Sequence, residues 1–149
     1  MRTSPRRRAR EFALQGLYQR QLSGNAPEAI RTQLNEAAGF AKADAPYFEA
    51  LWRGVTTDYD ALVERFAPLL DRKVAELSPI ERAILVIGAW ELSDRAEIPY
   101  RVVINEAVEL ARSYGGTDGH KFVNGVLDKL AASLRAAEID AERRGTGTG

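Results

Sequence analysis

The sequence predicts an all-α fold of about seven helices in a single domain, and two patterns carry this prediction. Apolar residues recur at steps of three and four along most of the 149 residues, and no stretch keeps the period-two alternation of a strand. The prolines fall where helical patterns begin, because proline suits a first helical turn and breaks a helix interior. They are Pro5, Pro27, Pro46, Pro68, Pro79 and Pro99. A chain of this length can bury a substantial core as one domain.

The first predicted helix has a marked start and end. Ser4 is suited to accept a hydrogen bond as the N-cap, and Pro5 suits the first helical position. A Ser-Gly-Asn turn at residues 23–25 ends the helix near Leu22. One side of its helical wheel is apolar and predicts contact with a core. The apolar side comprises Ala9, Phe12, Ala13, Gly16 and Leu17.

The same helix begins with a basic block. Its five arginines, without an acidic residue among them, are Arg2, Arg6, Arg7, Arg8 and Arg10. Three interpretations are open: a solvated helix end, an organelle transit peptide, and a surface for a polyanion. The apolar stripe runs on into the folded pattern, which disfavours the transit peptide. Arginine binds phosphate in planar, bidentate geometry, and Tyr18, on the same side as Arg7, would add base stacking.

The next two predicted helices differ in the strength of their pattern. One runs from about Pro27 to Ala37, where Ile30 and Leu34 form a narrow apolar line, and Gly39 ends it. The other is a single helix of roughly 20 residues after position 44, whose large aromatic side chains predict core packing. Its face comprises Phe48, Leu51, Trp52, Val55, Tyr59, Leu62, Val63 and Phe66.

The predicted central helix follows a short one from about Leu69 to Glu76. The run Ser78-Pro79-Ile80-Glu81 matches a capping box, in which Ser78 accepts from the Glu81 amide and the Glu81 carboxylate reaches back. Residues 80–92 are apolar nearly all round, which is typical of a helix in the middle of a bundle.

Two helices close the predicted domain. One runs from about Tyr100 to Ser113, and Gly115-Gly116 is expected to end it with a left-handed cap. Thr117 or Asp118 starts the last helix. The apolar period fails after residue 137, so the sequence predicts a domain over 1–137 and a disordered tail over 138–149.

Few groups suggest catalysis, a metal or a cofactor. The chain has no cysteine, a formal net charge of zero and one histidine, His120. Asp118 beside His120 fits a helix cap better than an acid–base pair, and Gly115-Gly116-Thr117 fits a cap better than a phosphate loop. Glu106 and Glu109 are interpreted as surface charges. No apolar run is long enough to span a membrane, so we expect a cytoplasmic protein that is not an enzyme.

Two stretches resemble the NusB family of transcription antitermination factors. Arg6-Arg-Arg-Ala-Arg-Glu11, with Ala13-Leu-Gln and Leu17-Tyr18 after it, resembles the opening of that family. Residues 99–111 (PYRVVINEAVELA) and 120–129 (HKFVNGVLDK) resemble its second signature, and Glu91-Leu-Ser adds a central match. The resemblance covers roughly residues 4–134 and implies an all-helical fold of two small bundles.

The resemblance also implies a function. Members of this family bind the boxA element of ribosomal RNA leaders with the ribosomal protein that acts as NusE, and join other Nus factors on RNA polymerase. The RNA-binding residues implied by the match are Arg6, Arg7, Arg8, Arg10, Tyr100, Arg101, Asp118, Lys121 and Phe122. Sequence choice would come from bases met by Phe122, Tyr100 and Asn105. Asp118 would repel phosphate, and so would limit affinity or register rather than add to it.

The implied ribosomal-protein contacts are Tyr18 and Glu81. For both residues, this implied role conflicts with the role that the local sequence predicts. Tyr18 lies beside Arg7, which favours base stacking, and a Glu81 carboxylate used in a capping box is less free to reach a partner. Two alternative functions stay open: a protein-interaction or self-dimerising helical module, and an accessory domain of an RNA methyltransferase. A homodimer that buries the first helix would also hide its arginines.

Overall fold

A computed structural model describes residues 3–147, and within that range the chain forms eight α-helices and no strand. The helices are α1 (Pro5–Ser23), α2 (Pro27–Leu34), α3 (Ala45–Thr57), α4 (Tyr59–Phe66), α5 (Pro79–Asp94), α6 (Tyr100–Tyr114), α7 (Gly119–Leu134) and α8 (Ala136–Gly147). Three 3₁₀ turns, Phe40–Lys42, Ala67–Leu69 and Val74–Glu76, lie in the connections. The all-α prediction is confirmed, and Arg2 lies outside the described residues.

Helix α5 is the centre of the fold, as its all-round apolar sequence predicts. Residues 83–92 are all buried. On one side α5 packs with α1 and α3, and α2 packs on α1; on the other side it packs with α4, α6 and α7. The two bundles therefore share α5. Close approach needs glycine at two crossings: a Cβ on Gly54 would lie 1.9 Å from Trp90 Nε1, and one on Gly88 would lie 2.8 Å from Leu127 Cδ1.

The helix starts follow the predicted capping chemistry. Ser4 Oγ accepts from the Arg7 amide at 3.0 Å, and Ser78 Oγ accepts from the Glu81 amide at 3.1 Å. Proline occupies the first turn of α1, α2, α3 and α5. Gly24 ends α1 in the left-handed region at φ 73°, a conformation that favours glycine.

The prediction of one helix of roughly 20 residues after position 44 is wrong, because the structure has two helices there, α3 and α4, which are separated at Asp58. Asp58 has φ −103° and ψ 19°, outside the helical region. Thr56, Thr57 and Asp58 are weak helix formers, since their side chains compete for backbone groups. The apolar residues of α4 continue the three-and-four spacing of α3. The break at Asp58 therefore cannot be predicted from this spacing.

Two other predicted local structures are also corrected. The predicted short helix over residues 69–76 is replaced by two 3₁₀ turns joined by an irregular segment. Gly115 is extended, with φ −90° and ψ −178°, and does not form the predicted left-handed cap. Its amide still donates to the Ala111 carbonyl at 2.8 Å, which closes the last turn of α6.

Residues 136–147 form helix α8, whereas the sequence predicts disorder from residue 138. This helix is held mainly by polar contacts. Its sequence therefore lacks the long apolar stripe from which a helix can be predicted. The Glu138 carboxylate accepts from the Tyr100 amide at 2.8 Å and from Arg135 at 2.7 Å, and Ile139 packs against the core. Residues 148–149 of the predicted tail lie outside the described residues.

A buried arginine joins α7 to the end of α5. Arg135 donates to the carbonyl oxygens of Leu92 at 2.8 Å, Arg95 at 2.9 Å and Ile98 at 3.0 Å. A cation is favourable at a helix C-terminus, where the carbonyl groups carry partial negative charge and lack partners. Arg135 therefore fixes the connection into α6.

Candidate nucleic-acid interface

The first turn of α1 is cationic. Arg6, Arg7 and Arg8 follow Pro5 directly, and this turn contains no acidic residue. The N-terminus of a helix carries partial positive charge, so arginines here oppose the helix dipole where acidic side chains would stabilise it. The placement costs helix stability and concentrates positive charge at this end of α1, which is what an anion-binding site needs.

Arg6 and Arg7 have carboxylate partners. Arg6 Nε lies 3.9 Å from Asp44 Oδ2, and its guanidinium covers the Tyr47 ring at 4.3 Å. Arg7 donates two bonds to Glu106 of α6, at 2.8 Å and 3.1 Å. Hydrogen bonding to Glu106 raises the pKa of Arg7. Arg7 therefore links α1 to α6 but reaches an external anion only if it leaves Glu106.

Arg8 is the least restrained of the three arginines. It forms no ion pair within the part of the chain that the structure describes. It borders a groove of about 770 Å³ between α1 and the end of α6, which Tyr18, Ile80 and Tyr114 also line. Arg8 can reorient toward an anion without losing a protein partner.

Arg10 is buried, so it is removed from the predicted RNA-binding surface. It is 3% exposed, and its Nε donates to both carboxylate oxygens of Glu91, at 3.1 Å and 3.0 Å. The Tyr47 hydroxyl donates to the same carboxylate. Burial lowers the pKa of Arg10, but Glu91, Tyr47 and Glu106 together raise it by more, so the guanidinium stays charged. Burial and Glu91 raise the pKa of Tyr47.

Tyr100 and Arg101 lie under α8 at the start of α6. Tyr100 is buried, and its hydroxyl lies 3.5 Å from Glu142 Oε1, so its ring is not a free platform for a base. Arg101 is exposed, and its Nε donates to Glu142 at 2.7 Å. That bond raises the pKa of Arg101 and lowers the pKa of Glu142.

Asp118, Lys121 and Phe122 lie together at the start of α7. The exposed Lys121 Nζ is 3.7 Å from Asp118 Oδ1. Asp118 is the N-cap residue by position, but its side chain makes no capping hydrogen bond, contrary to the predicted cap. The Phe122 ring is half-buried, and the Arg72 guanidinium covers it at 4.3 Å.

These groups are spread along the α6–α7 hairpin. Tyr100 begins α6 and Lys121 lies in the first turn of α7, and the two helices pack together. Since the 15 residues of α6 extend about 22 Å, the two predicted groups lie at opposite ends of the hairpin. Arg7 meets α6 between them, at Glu106. The predicted residues thus describe an elongated surface, which suits an extended strand better than a compact ligand.

The two predicted protein-contact residues lie near the start of α5. Tyr18 is 37% exposed and faces the groove that Ile80 also lines. The half-buried Glu81 carboxylate faces Gly119, with Oε1 3.1 Å from the position of a Cβ there. Its amide, rather than its carboxylate, supplies the capping bond to Ser78. Tyr18 therefore shares a groove with Ile80, the residue that precedes Glu81.

Sequence reasoning missed two residues that shape this surface, Arg72 and Glu142, and interpreted a third, Glu106, as a surface charge, whereas it is 18% exposed and paired with Arg7. Glu106 and Glu142 hold Arg7 and Arg101, and Arg72 covers Phe122. Charge alone does not identify such partners, because they come from distant segments of the chain. The partner of Arg10 can be recognised more easily in the sequence, since Glu91 is the one charged residue in the otherwise apolar run 83–92 of the central helix.

The described residues contain no group of three or more histidine, aspartate or glutamate side chains that would hold a metal ion. None of the helices in that range combines the length and apolar character needed to cross a membrane.

Comparison with known proteins gives consistent matches. A model described as the NusB family matches residues 7–132. A transcription antitermination protein NusB from Ralstonia nicotianae is 58% identical over 140 residues, covering 94% of this chain and 90% of that protein. Another from Azoarcus sp. is 58% identical over 139 residues, covering 93% and 90%. A solved structure of T. maritima NusB has a TM-score of 0.75 at 28% identity, covering 88% of this chain and 92% of that one.

Proposed function

Because this chain belongs to the NusB family, we propose that it is a transcription antitermination factor that binds boxA RNA and catalyses no reaction. The proposal rests on one structural observation above all. The first turn of α1 carries three arginines against the helix dipole, and Arg8 has no ion pair among the described residues. A stable helix does not need this arrangement, whereas a phosphate-binding surface does.

Binding begins with electrostatic attraction to the RNA backbone. Arg6 and Arg8 approach phosphates first, because Arg6 has only a 3.9 Å partner and Arg8 has none in the described part of the chain. Lys121 adds positive charge at the far end of the surface and Arg101 at the near end. These contacts give affinity that falls with salt and carries little sequence information.

A protein partner supplies the rest of the affinity. We assign the groove beside Tyr18, together with Glu81, to the ribosomal protein that acts as NusE. Two RNA-binding chains held together act on one strand, so the second contact becomes intramolecular and raises the overall affinity. The pair then joins other Nus factors on RNA polymerase in the cytoplasm, where ribosomal RNA is made.

The test measures fluorescence anisotropy of a labelled boxA RNA at several salt concentrations. Replacing Arg8 by alanine should weaken binding about fivefold, or about 1 kcal/mol, because one charge-assisted contact to phosphate is lost. It should also reduce the salt slope by about 0.7, the value for one phosphate of a single strand. Arg65→Ala, an exposed arginine on α4, is the matched control and should change neither quantity.

The proposal fails in two ways. Salt-independent binding would exclude the electrostatic surface. Absence of RNA binding with or without the ribosomal protein would instead favour the protein-interaction module. Cooperative binding of RNA and the ribosomal protein supports the full proposal, and Tyr18→Asp should abolish that cooperativity while leaving the Arg8-dependent binding in place.

A further inference from the structure

Phe122 is half-buried, and the Arg72 guanidinium occupies one face of its ring. One part of its ring packs against the hydrophobic core, and the guanidinium of Arg72 covers the ring at 4.3 Å. A base can stack on an aromatic ring only where a face is open. A base therefore cannot stack on the face of Phe122 that Arg72 covers in this arrangement.

Arg72 offers the open face instead. It lies between the 3₁₀ turns Ala67–Leu69 and Val74–Glu76, and 39% of its side chain is exposed. Its Nε donates to Asp71 at 2.8 Å, which fixes the guanidinium plane from its edge. With one face on Phe122 and its edge held, the guanidinium keeps its other face available. Guanidinium planes are among the groups on which unstacked RNA bases stack.

Two lysines lie near this position. A shallow cavity of about 180 Å³ is lined by Phe122 together with Lys121, Lys129 and the acidic Asp71. Lys121 is 74% exposed. A nucleotide whose base rests on Arg72 would place its phosphate within reach of these lysines. The site thus combines a flat cation for a base with two exposed lysines for the backbone.

We propose that Arg72, supported by Phe122, is the platform on which one unpaired base of the bound RNA stacks. The inference rests on the proposed RNA-binding function and adds a residue to it. Phe122 becomes a positioning residue, which holds the guanidinium plane and does not touch the base. Lys121 contacts the phosphate backbone and has no part in base stacking.

Two substitutions separate stacking from charge. Arg72→Ala removes the plane and the charge, and should weaken boxA RNA binding about tenfold with a smaller salt slope. Arg72→Lys keeps the charge but loses the plane, so it should lose most of the affinity while keeping the wild-type slope. Lys121→Ala is the matched control, because it should lower the slope with only a small loss of affinity. Wild-type affinity in the lysine variant would overturn the proposal.

The opposite outcome has a distinct meaning. If Arg72 only covers Phe122, Arg72→Ala exposes the ring and binding stays equal or becomes tighter, which also overturns the proposal. Thermal unfolding of each variant checks that the domain is intact.

RNAs carrying one abasic site at each position identify the stacked base. At one position, loss of the base should weaken binding to the wild-type protein about tenfold. The same RNA should bind the Arg72→Ala variant almost as well as intact RNA does, since both changes remove the same contact. Additive losses at every position would overturn the platform. Failure of this test leaves the proposed function standing if wild-type binding still depends on Arg8, whereas a wild-type protein that binds no RNA removes both.

Discussion

Arg8 and Arg10 are two residues apart in one helix and behave in opposite ways. They project about 200° apart around α1, so Arg8 reaches the surface while Arg10 enters the core beside Glu91. Arg10 is held by a buried carboxylate, whereas Arg8 has no ion pair in the described chain. One arginine-rich turn thus contains both a structural cation and a binding cation.

This difference follows from what each guanidinium meets. A buried charge must keep its partner, because leaving the other charge unpaired in the core is costly. Arg8 is half-buried but has no ion pair among the described residues, so its charge contributes little to stability and is free to meet a phosphate. Arg7 lies between these cases. It is half-exposed and shares Glu106 with Arg10, whose Nη1 lies 3.9 Å from that carboxylate.

The largest expected effect comes from breaking the buried pair. Arg10→Ala leaves Glu91 unpaired in the core, so the free energy of unfolding should fall by about 3–5 kcal/mol. Urea denaturation measures this change. The free energy of unfolding of Arg8→Ala, measured in the same way, should stay within about 0.5 kcal/mol of the wild-type value.

A paired substitution controls for the loss of side-chain volume. Arg10→Met together with Glu91→Leu removes both charges and should recover a large part of the stability that Arg10→Ala loses, and the remaining loss comes from the buried Tyr47 hydroxyl, which no longer has Glu91 as its acceptor. If Arg10→Ala were as stable as the wild type, the separation between structural and binding arginines would be wrong.

The sequence contains a signal that Arg10 is buried. Arg10 precedes Ala13 by three residues and Leu17 by seven, the spacing that places it on the apolar side of the helix. The arginine block hides this signal, because five similar residues look like one surface. Helical period is therefore a better guide than composition to the role of each charge.

The helices could be predicted where the spacing of apolar residues and the position of a proline indicate the same helix start, as in α1, α5 and α6. The spacing of apolar residues does not predict the break at Asp58, since the apolar face continues in phase from α3 to α4. Helix α8 was missed for the opposite reason. Ion pairs such as Glu142 with Arg101 hold it, and these depend on a neighbour about 40 residues away that no local pattern reveals.

A second expected effect tests Tyr47, which touches both kinds of arginine. Its ring lies 4.3 Å from the Arg6 guanidinium and 5.6 Å from that of Arg10. Tyr47→Phe keeps the ring and removes the hydrogen bond to Glu91, so the free energy of unfolding should fall by about 1.5 kcal/mol. RNA affinity should not change, because the surface arginines keep their neighbour.

The same residue should give a pH dependence. Burial and Glu91 raise the pKa of Tyr47 in the folded state, so the unfolded chain loses this proton first as the pH rises. The stabilisation is complete below pH about 10, the ordinary pKa of tyrosine, and is lost above it by up to about 1.4 kcal/mol per pH unit. Denaturation of the wild type and Tyr47→Phe between pH 8 and about 11 should show their difference shrinking. A constant difference would mean that Tyr47 titrates normally.

The smallest expected effect concerns Arg7, the intermediate case. Glu106 accepts two hydrogen bonds from Arg7 and therefore competes with RNA phosphate for the same guanidinium. Glu106→Gln keeps the size of the side chain but removes its charge, so Arg7 should be released more readily and boxA RNA should bind about threefold tighter. Anisotropy at two salt concentrations measures this, and the salt slope should steepen because one more cation reaches the RNA. Glu64→Gln, an exposed carboxylate on α4, controls for net charge. Weaker binding by Glu106→Gln would show that Glu106 positions Arg7 for phosphate, which would place Arg7 with Arg10 as a residue fixed by its carboxylate.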